Sequence, residues 1–117
     1  MSQYKISNVS LEIDMEDADF QDKYVSAFNQ IGETEKKLVK VGAVSDITRA
    51  YCDMYKEFFD YMFGLGTAES LFCGKANTRV CEETFDKFLG ICNRQMQDAA
   101  KRRRQLKTKY IVPGKKK

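Results

Sequence analysis

Residues 58–89, FFDYMFGLGTAESLFCGKANTRVCEETFDKFL, decide how this chain folds, because glycines and capping residues separate two aromatic-rich runs. Glycine adopts the left-handed backbone in which many helices end, and Ser, Thr, Asp and Asn side chains accept hydrogen bonds at helix starts. The stretch therefore predicts a structural corner made of a helix, a turn, a short helix, a second turn and a further helix. We assign this corner to Gly64, Gly66, Thr67, Gly74 and Asn77.

The pair Gly74-Lys75 raises the alternative of a phosphate-binding loop. Such a loop has four residues between two glycines, continues with Gly-Lys-Ser/Thr and follows a strand. Here the preceding residues favour helix, and Ala76 occupies the position of the hydroxyl. Nucleophilic catalysis would need a base, and the chain contains no histidine. The corner therefore indicates packing, and we expect a protein that is not an enzyme and binds no cofactor.

The four cysteines, Cys52, Cys73, Cys81 and Cys92, do not form a Cys-x-x-Cys pair. Structural zinc sites and redox pairs usually use closely spaced cysteines. We therefore expect no metal site and interpret all four as buried, small apolar residues. No apolar run approaches the length of a transmembrane helix, and the first ten residues lack the pattern of a secretion signal. These features predict a cytosolic protein with no membrane contact.

The charge of the chain is divided unevenly. Residues 101–117, KRRRQLKTKYIVPGKKK, hold nine of the 20 Lys and Arg residues and none of the 17 acids. Residues 1–100 therefore carry 11 bases and 17 acids, a net charge of −6. We expect one helical domain over 1–100 and a basic, flexible tail over 101–117, with the last helix fraying after Ala100. Such a tail can bind nucleic acid or an acidic protein surface electrostatically.

The N-terminal residues predict a strand or a hairpin. Apolar and polar residues alternate from Val9 to Met15, which is the period of a half-buried strand. Ser7-Asn8 suits a tight turn that would pair this strand with residues 4–6. An isolated hairpin is marginally stable in water, so it must pack on the helices or pair with another chain.

The rest of the chain up to residue 100 predicts helices, because apolar residues recur at three- and four-residue steps. We predict helices over 18–41, 46–63 and 68–73 and a last helix that begins near residue 78. Their predicted N-caps are Asp17, Ser45 or Asp46, Thr67, and Asn77 or Thr78. The expected fold class is mainly α: a small bundle of three longer helices and one short helix, with an N-terminal β-strand or hairpin and a basic C-terminal tail.

The corner also resembles a known family. It carries a Phe-Phe-Asp…Phe-Gly-x-Gly-Thr pattern followed by Phe-x-Gly-Lys-x-Asn, on Phe58, Phe59, Asp60, Phe63, Gly64, Gly66, Thr67, Phe72, Gly74, Lys75 and Asn77. With the acidic opening strand NVSLEIDMEDAD, these motifs make residues 8–105 resemble small proteins encoded in the tail-morphogenesis region of long-tailed phages and prophages of Gram-positive bacteria. The resemblance implies a tail assembly chaperone, which binds the hydrophobic tape-measure protein in the cytoplasm of the bacterial host before the tail tube forms around it.

A chaperone of this kind needs no catalytic residues, but it needs apolar helix faces that cover another helix and charges that steer binding. We therefore predict binding to the tape-measure protein, with a homo-oligomer as a further expectation. The candidate partner-binding residues are Tyr55, Phe59, Met62, Phe63, Phe72, Phe85 and Phe88. The candidate electrostatic contacts are Lys101, Arg102, Arg103 and Arg104.

Two alternatives stay open. In the first, the basic residues from Lys101 to Lys117 bind nucleic acid, although the acidic body would repel phosphates and Tyr110 is the only aromatic residue there that can stack on a base. In the second, the protein is a structural component of the tail, which the sequence does not distinguish from a chaperone.

Overall fold

The computed structural model describes residues 3–38 and 42–110. Within these residues a hairpin opens the chain and four helices follow it. The strands are β1 (Gln3–Ile6) and β2 (Val9–Glu12), and the helices are α1 (Ala18–Lys37), α2 (Val44–Phe63), α3 (Thr67–Phe72) and α4 (Thr78–Tyr110). This order confirms the predicted fold class, which is mainly α with three longer helices, one short helix and an N-terminal hairpin.

The two strands form an antiparallel hairpin in which Ile6 lies opposite Val9. Ser7 and Asn8 between them have φ angles of 51° and 66°. Two positive φ values define a type I′ turn, whose twist matches that of the flanking strands. Side-chain burial also confirms the alternation that the sequence predicts, since the core face carries Leu11, Ile13 and Met15.

Helix α1 begins where the sequence predicts. The carboxylate of Asp17 accepts a hydrogen bond from the backbone N–H of Phe20 at 3.1 Å, which satisfies one of the otherwise unpaired groups at the helix start. The helix ends at Lys37, because the backbone of Leu38 is already extended. Its predicted continuation over residues 39–41 lies outside the described residues.

Helix α2 begins two residues before its predicted start, and its predicted N-caps are wrong. The backbone N–H groups of Asp46 and Ile47 both donate to the carbonyl oxygen of Ala43, at 3.0 and 3.2 Å. Ala43 therefore occupies the N-cap position without a side-chain bond, and Ser45 lies inside the first turn. Asp46 still favours this helix end, because its carboxylate lies near the positive end of the helix dipole.

The core is a cluster of aromatic rings that joins α1, α2 and α4. Phe59 of α2 and Phe88 of α4 are fully buried, and their ring centroids lie 5.7 Å apart in an edge-to-face arrangement. Phe28 of α1 meets Phe58 of α2 edge-on at 5.4 Å, and the Phe58 ring lies 5.0 Å from Phe85 of α4. Each such pair contributes about 0.5–1.5 kcal/mol beyond the area that it buries. The rings thereby fix the relative positions of the three longer helices.

Helix α4 continues well beyond Ala100, where the sequence predicts fraying. It is helical through Tyr110, so the expected frayed tail is wrong for residues 101–110, and residues 111–117 lie outside the described part of the chain. Lys, Arg, Gln and Leu are good helix formers, and bases suit the negative end of a helix. The long helix makes the molecule elongated, 67 × 30 × 23 Å with a radius of gyration of 18.5 Å. A compact domain of about 100 residues would have a radius of gyration of about 13 Å.

The aromatic cluster gives a direct test of the core. We expect Phe59→Ala to lower the free energy of unfolding by about 3–5 kcal/mol, because it removes a fully buried ring and leaves a cavity. Leu65→Ala is the control, since Leu65 is 95% exposed and its truncation should change stability by less than about 0.5 kcal/mol. Urea unfolding followed by circular dichroism measures both variants. Similar losses of unfolding free energy in Phe59→Ala and Leu65→Ala would contradict this description of the core.

Candidate functional site

The corner between α2 and α4 contains the predicted residues, but one of them has a different role. Gly64 ends α2 with φ 109° and ψ 155°, a backbone region that is essentially restricted to glycine. Gly66 and not Thr67 occupies the N-cap position of α3, so the predicted Thr67 cap is wrong. The acceptor comes from α2 instead, because Asp60 Oδ1 accepts from the backbone N–H of Ala68 at 2.9 Å. The sequence places Asp60 eight residues away, outside the usual capping distance.

The second turn of the corner agrees more closely with the sequence. The side chain of Asn77 accepts from the backbone N–H of Val80 at 3.1 Å, which confirms it as the cap of α4. Helix α3 ends at Phe72, one residue before its predicted end. Cys73 then adopts a left-handed backbone with φ 53°, and Gly74 follows it with φ 75°. The turn thus uses two left-handed residues, of which glycine is one.

The structure places the candidate partner-binding aromatics in the core. Four of these residues are buried: Phe59, Met62, Phe72 and Phe88. The other three, Tyr55, Phe63 and Phe85, are partly buried and pack against that core. Because the rings contact one another, they fill the space between the helices and leave no open apolar groove of their own. The apolar helix faces that the sequence predicts for a partner are therefore covered by the other helices of the fold.

A glutamine in the middle of α4 binds the hairpin to the bundle. The Gln95 side chain donates to the carbonyl oxygen of Ile13 at 2.7 Å and to the hydroxyl of Tyr4 at 3.0 Å. It also accepts from the backbone N–H of Met15 at 2.7 Å. We call this set of three bonds the Gln95 clamp. It satisfies backbone groups just beyond β2 that have no strand partner.

Gln95 is not among the functional residues predicted from the sequence, although the sequence contains a weak signal for it. Cys92, Gln95 and Ala99 follow Phe88 at the spacing of the apolar face of α4, and Gln95 is the one polar residue among them. A glutamine on an apolar stripe indicates a buried hydrogen-bonding partner. The partner could not be named, because it lies 80 to 91 residues away in sequence.

An exposed ion pair holds α4 to the body one turn beyond the buried Ala99. The guanidinium of Arg102 donates to the carboxylate of Glu16. This hydrogen bond lowers the pKa of Glu16 below its usual value and raises the pKa of Arg102. Arg102, a predicted electrostatic contact, is therefore already engaged within the chain.

We call residues 101–110 the basic arm. All ten are exposed, and they carry six Lys or Arg residues and no acid. Arg102 pairs with Glu16, whereas the structure gives no ion pair to Lys101, Arg103 or Arg104 within the described residues. The arm is therefore a helix that presents positive charge on several sides, and its expected flexibility stays a prediction.

A groove of about 450 Å³ lies between β1 and α4, and we call it the β1–α4 groove. Its walls include the base Lys5 from β1 and the bases Lys87 and Arg94 from α4, with Asp98 as the only acid. Gln95, which forms the clamp, also lines it. The groove is therefore positively charged, although the body as a whole is acidic.

A second polar contact joins α2 to α4 at the opposite end of the bundle. The hydroxyl of Tyr51 donates to Glu82 at 2.6 Å and lies 3.1 Å from the hydroxyl of Tyr55. The bond to Glu82 raises the pKa of Tyr51, so the phenol stays protonated and serves as a fixed donor. This contact links the two helices.

Three of the four cysteines are buried as predicted: Cys52, Cys81 and Cys92. Burial raises the pKa of Cys81 and of Cys92 to about 12, and for Cys81 a hydrogen bond with Cys52 adds to the effect. The prediction is wrong for Cys73, which is exposed because it lies in the left-handed turn after α3. Among residues 3–38 and 42–110 the structure contains no cluster of acids and cysteines that could hold a metal ion.

The profile of a family of unknown function, DUF6673, matches residues 7–117. The chain belongs to this family. The match runs from the hairpin turn through the basic arm, so one family unit contains the clamp, the groove and the arm. A search of the curated proteins and a search of the solved structures each found no match. The family description assigns no activity, and the resemblance to phage tail-region proteins stays a prediction.

None of the described helices is long and apolar enough to span a membrane.

The Gln95 clamp predicts a specific loss of stability. We expect Gln95→Leu to lower the free energy of unfolding by about 2–4 kcal/mol, because the N–H of Met15 and the carbonyl of Ile13 lose their partners. Gln97→Leu, on the exposed side of the same helix, should change it by less than about 0.5 kcal/mol. Chemical unfolding measures both. If the clamp contributes nothing to stability, Gln95→Leu and Gln97→Leu will have equal free energies of unfolding.

The cysteine environments predict selective thiol reactivity. In the folded protein only Cys73 should react with a water-soluble thiol reagent at mildly alkaline pH, since the other three thiols are buried. Mass spectrometry of the labelled chain checks this result. Cys73→Ser should remove the label, whereas Cys81→Ser should leave it. Rapid labelling of Cys81 or Cys92 in the native state would show that the core opens more readily than the structure indicates.

Proposed function

We propose that this protein is a non-enzymatic tail assembly chaperone of a phage or prophage, which binds an acidic segment of the tape-measure protein through the basic arm. The observation that carries the proposal is the arm itself, an exposed helical extension with six bases and no acid. The resemblance of residues 8–105 to tail-region proteins suggests the partner and implies an interaction in the cytoplasm of the bacterial host.

The charge distribution supports recognition through the arm. The body carries a net charge of −6, so an acidic partner is repelled by most of the protein and attracted to the arm. Opposite charges accelerate association and orient the partner before close contact forms. Because the aromatic residues fill the core, the first contact in this proposal is electrostatic.

Nucleic-acid binding is a second candidate, and the same arm favours it. Arginine and lysine side chains bind phosphates, and the exposed Tyr110 at the end of α4 can stack on a base. The acidic body opposes this candidate, because a nucleic acid that reaches past the arm meets repulsion. The nine bases of residues 101–117 can contact at most nine phosphates, which limits the slope of log K against log salt concentration to about −8.

Co-expression with the tape-measure protein of the same genome tests the first candidate. We expect a soluble complex of defined mass in size-exclusion chromatography with light scattering, and an insoluble tape-measure protein without this chain. The triple variant Arg103→Glu, Arg104→Glu and Lys107→Glu should lose the complex, because it removes the net positive charge of the arm while keeping the Arg102–Glu16 pair. Lys23→Glu, Lys37→Glu and Arg79→Glu, at exposed positions of the body, form the matched control.

Two results would contradict the proposal. One is a chain that elutes alone while the tape-measure protein aggregates. The other is a complex that both triple variants retain equally. If the arm variant instead loses binding to DNA or RNA and the salt dependence is steep, the second candidate is favoured. Light scattering of the protein alone also gives its oligomeric state.

A further inference from the structure

The register of the hairpin determines which backbone groups of β1 face away from β2. In a hairpin closed by a two-residue turn, the pair next to the turn is hydrogen-bonded and the following pair is not. Ile6 and Val9 form the first pair, and Lys5 and Ser10 form the second. The N–H and C=O groups of Lys5 therefore point outward from the free edge of β1, and no hydrogen bond occupies them within the described residues.

This free edge borders the β1–α4 groove. Three consecutive β1 residues, Tyr4, Lys5 and Ile6, form one wall, and α4 forms the other. An unpaired strand edge beside a groove can accept an extended peptide as an additional strand, with main-chain hydrogen bonds on one side and side-chain contacts on the other. β1 has four residues, or about 13 Å of strand, so the pairing segment has about four residues.

The charges of the groove indicate what kind of segment fits. Lys87 and Arg94 are seven residues apart and therefore lie on one face of α4, separated by about 10 Å along the axis. With Lys5 opposite them, three bases surround a space that contains one acid, Asp98. Carboxylates at alternate positions of an extended segment would point toward one wall and could contact these bases.

We propose that the β1–α4 groove binds an extended acidic segment of a partner protein, which adds a strand to the free edge of β1. The inference rests on the proposed function only in taking a protein as the partner, and it uses a different surface from the basic arm. A second copy of this chain is a poor occupant, because edge-to-edge pairing of two β1 strands would bring Lys5 and the groove bases close to their own counterparts.

The experiment is a titration of the ¹⁵N-labelled protein with a labelled synthetic peptide of alternating Glu and Thr, at concentrations up to about 1 mM. We expect chemical-shift changes centred on Lys5 and Arg94 and slower exchange of the Lys5 amide. A peptide of alternating Lys and Thr, and a Glu-Thr peptide with N-methylated backbone amides, should produce no such changes. The first control tests charge, and the second tests strand pairing.

Protein variants separate the two contributions. Lys87→Glu with Arg94→Glu should weaken binding roughly tenfold or more, whereas Lys23→Glu with Arg79→Glu should not. Lys5→Pro should bind about fivefold more weakly than Lys5→Ala, because proline removes one outward N–H group. Ser10→Pro is the control, because Ser10 lies opposite Lys5 on the other edge of the hairpin. We expect an unchanged circular dichroism spectrum and unchanged peptide binding, which would show that the hairpin tolerates proline.

The outcomes distinguish this inference from the proposed function. No shift changes near Lys5 at the highest peptide concentration, or equal binding of the N-methylated peptide, would overturn strand addition in the groove. Neither result affects the arm, whose triple variant Arg103→Glu, Arg104→Glu and Lys107→Glu is tested separately. Chemical-shift changes confined to residues 101–110 would likewise overturn the proposal that the groove binds the peptide, and would leave the arm as the binding surface.

Discussion

The side-chain amide of Gln95 joins the hairpin to the bundle, and the candidate binding surfaces depend on that attachment. A two-stranded hairpin is marginally stable by itself, so β1 and β2 keep their place through their buried side chains and the Gln95 clamp. The clamp sets the distance between β1 and α4 and thereby shapes the groove. One turn past Ala99, the Arg102–Glu16 pair fixes the start of the basic arm to the same connection between β2 and α1.

The aromatic core and the charged surface have separate roles. The rings of α1, α2 and α4 use their apolar area to stabilise the fold, because a chain of this length has a modest core and must bury most of its large apolar side chains. The charged residues that line the β1–α4 groove and the last three turns of α4 are mainly basic. Both proposed binding surfaces therefore rely on charge, and the groove adds a free strand edge, whereas the resemblance implies binding through apolar helix faces.

The groove and the arm also differ in how they can discriminate between partners. An exposed basic helix attracts any anionic polymer, and its contacts weaken strongly with salt. A strand edge beside bases requires an extended backbone with carboxylates at suitable positions, which a nucleic acid cannot supply. If both proposals hold, the arm would capture an acidic partner quickly and the groove would select an extended segment of it.

The sequence by itself determined the elements: a tight turn at Ser7-Asn8, the Asp17 cap, an α4 cap at Asn77 or Thr78, the helix end at Gly64 and the mainly α class. These features depend on local backbone preferences and on hydrophobic period, which a sequence shows directly.

Only the tertiary structure decided that Gln95 binds Ile13 and Met15, that Asp60 caps α3 and that α4 continues as a helix through Tyr110. The Gln95 clamp and the Asp60 cap each depend on a contact between different elements. The spacing of two residues along the chain does not show whether they lie close together in the fold. The continuation of α4 follows from the helix propensity of its residues, to which the structure adds the Arg102–Glu16 pair as a contact with the body.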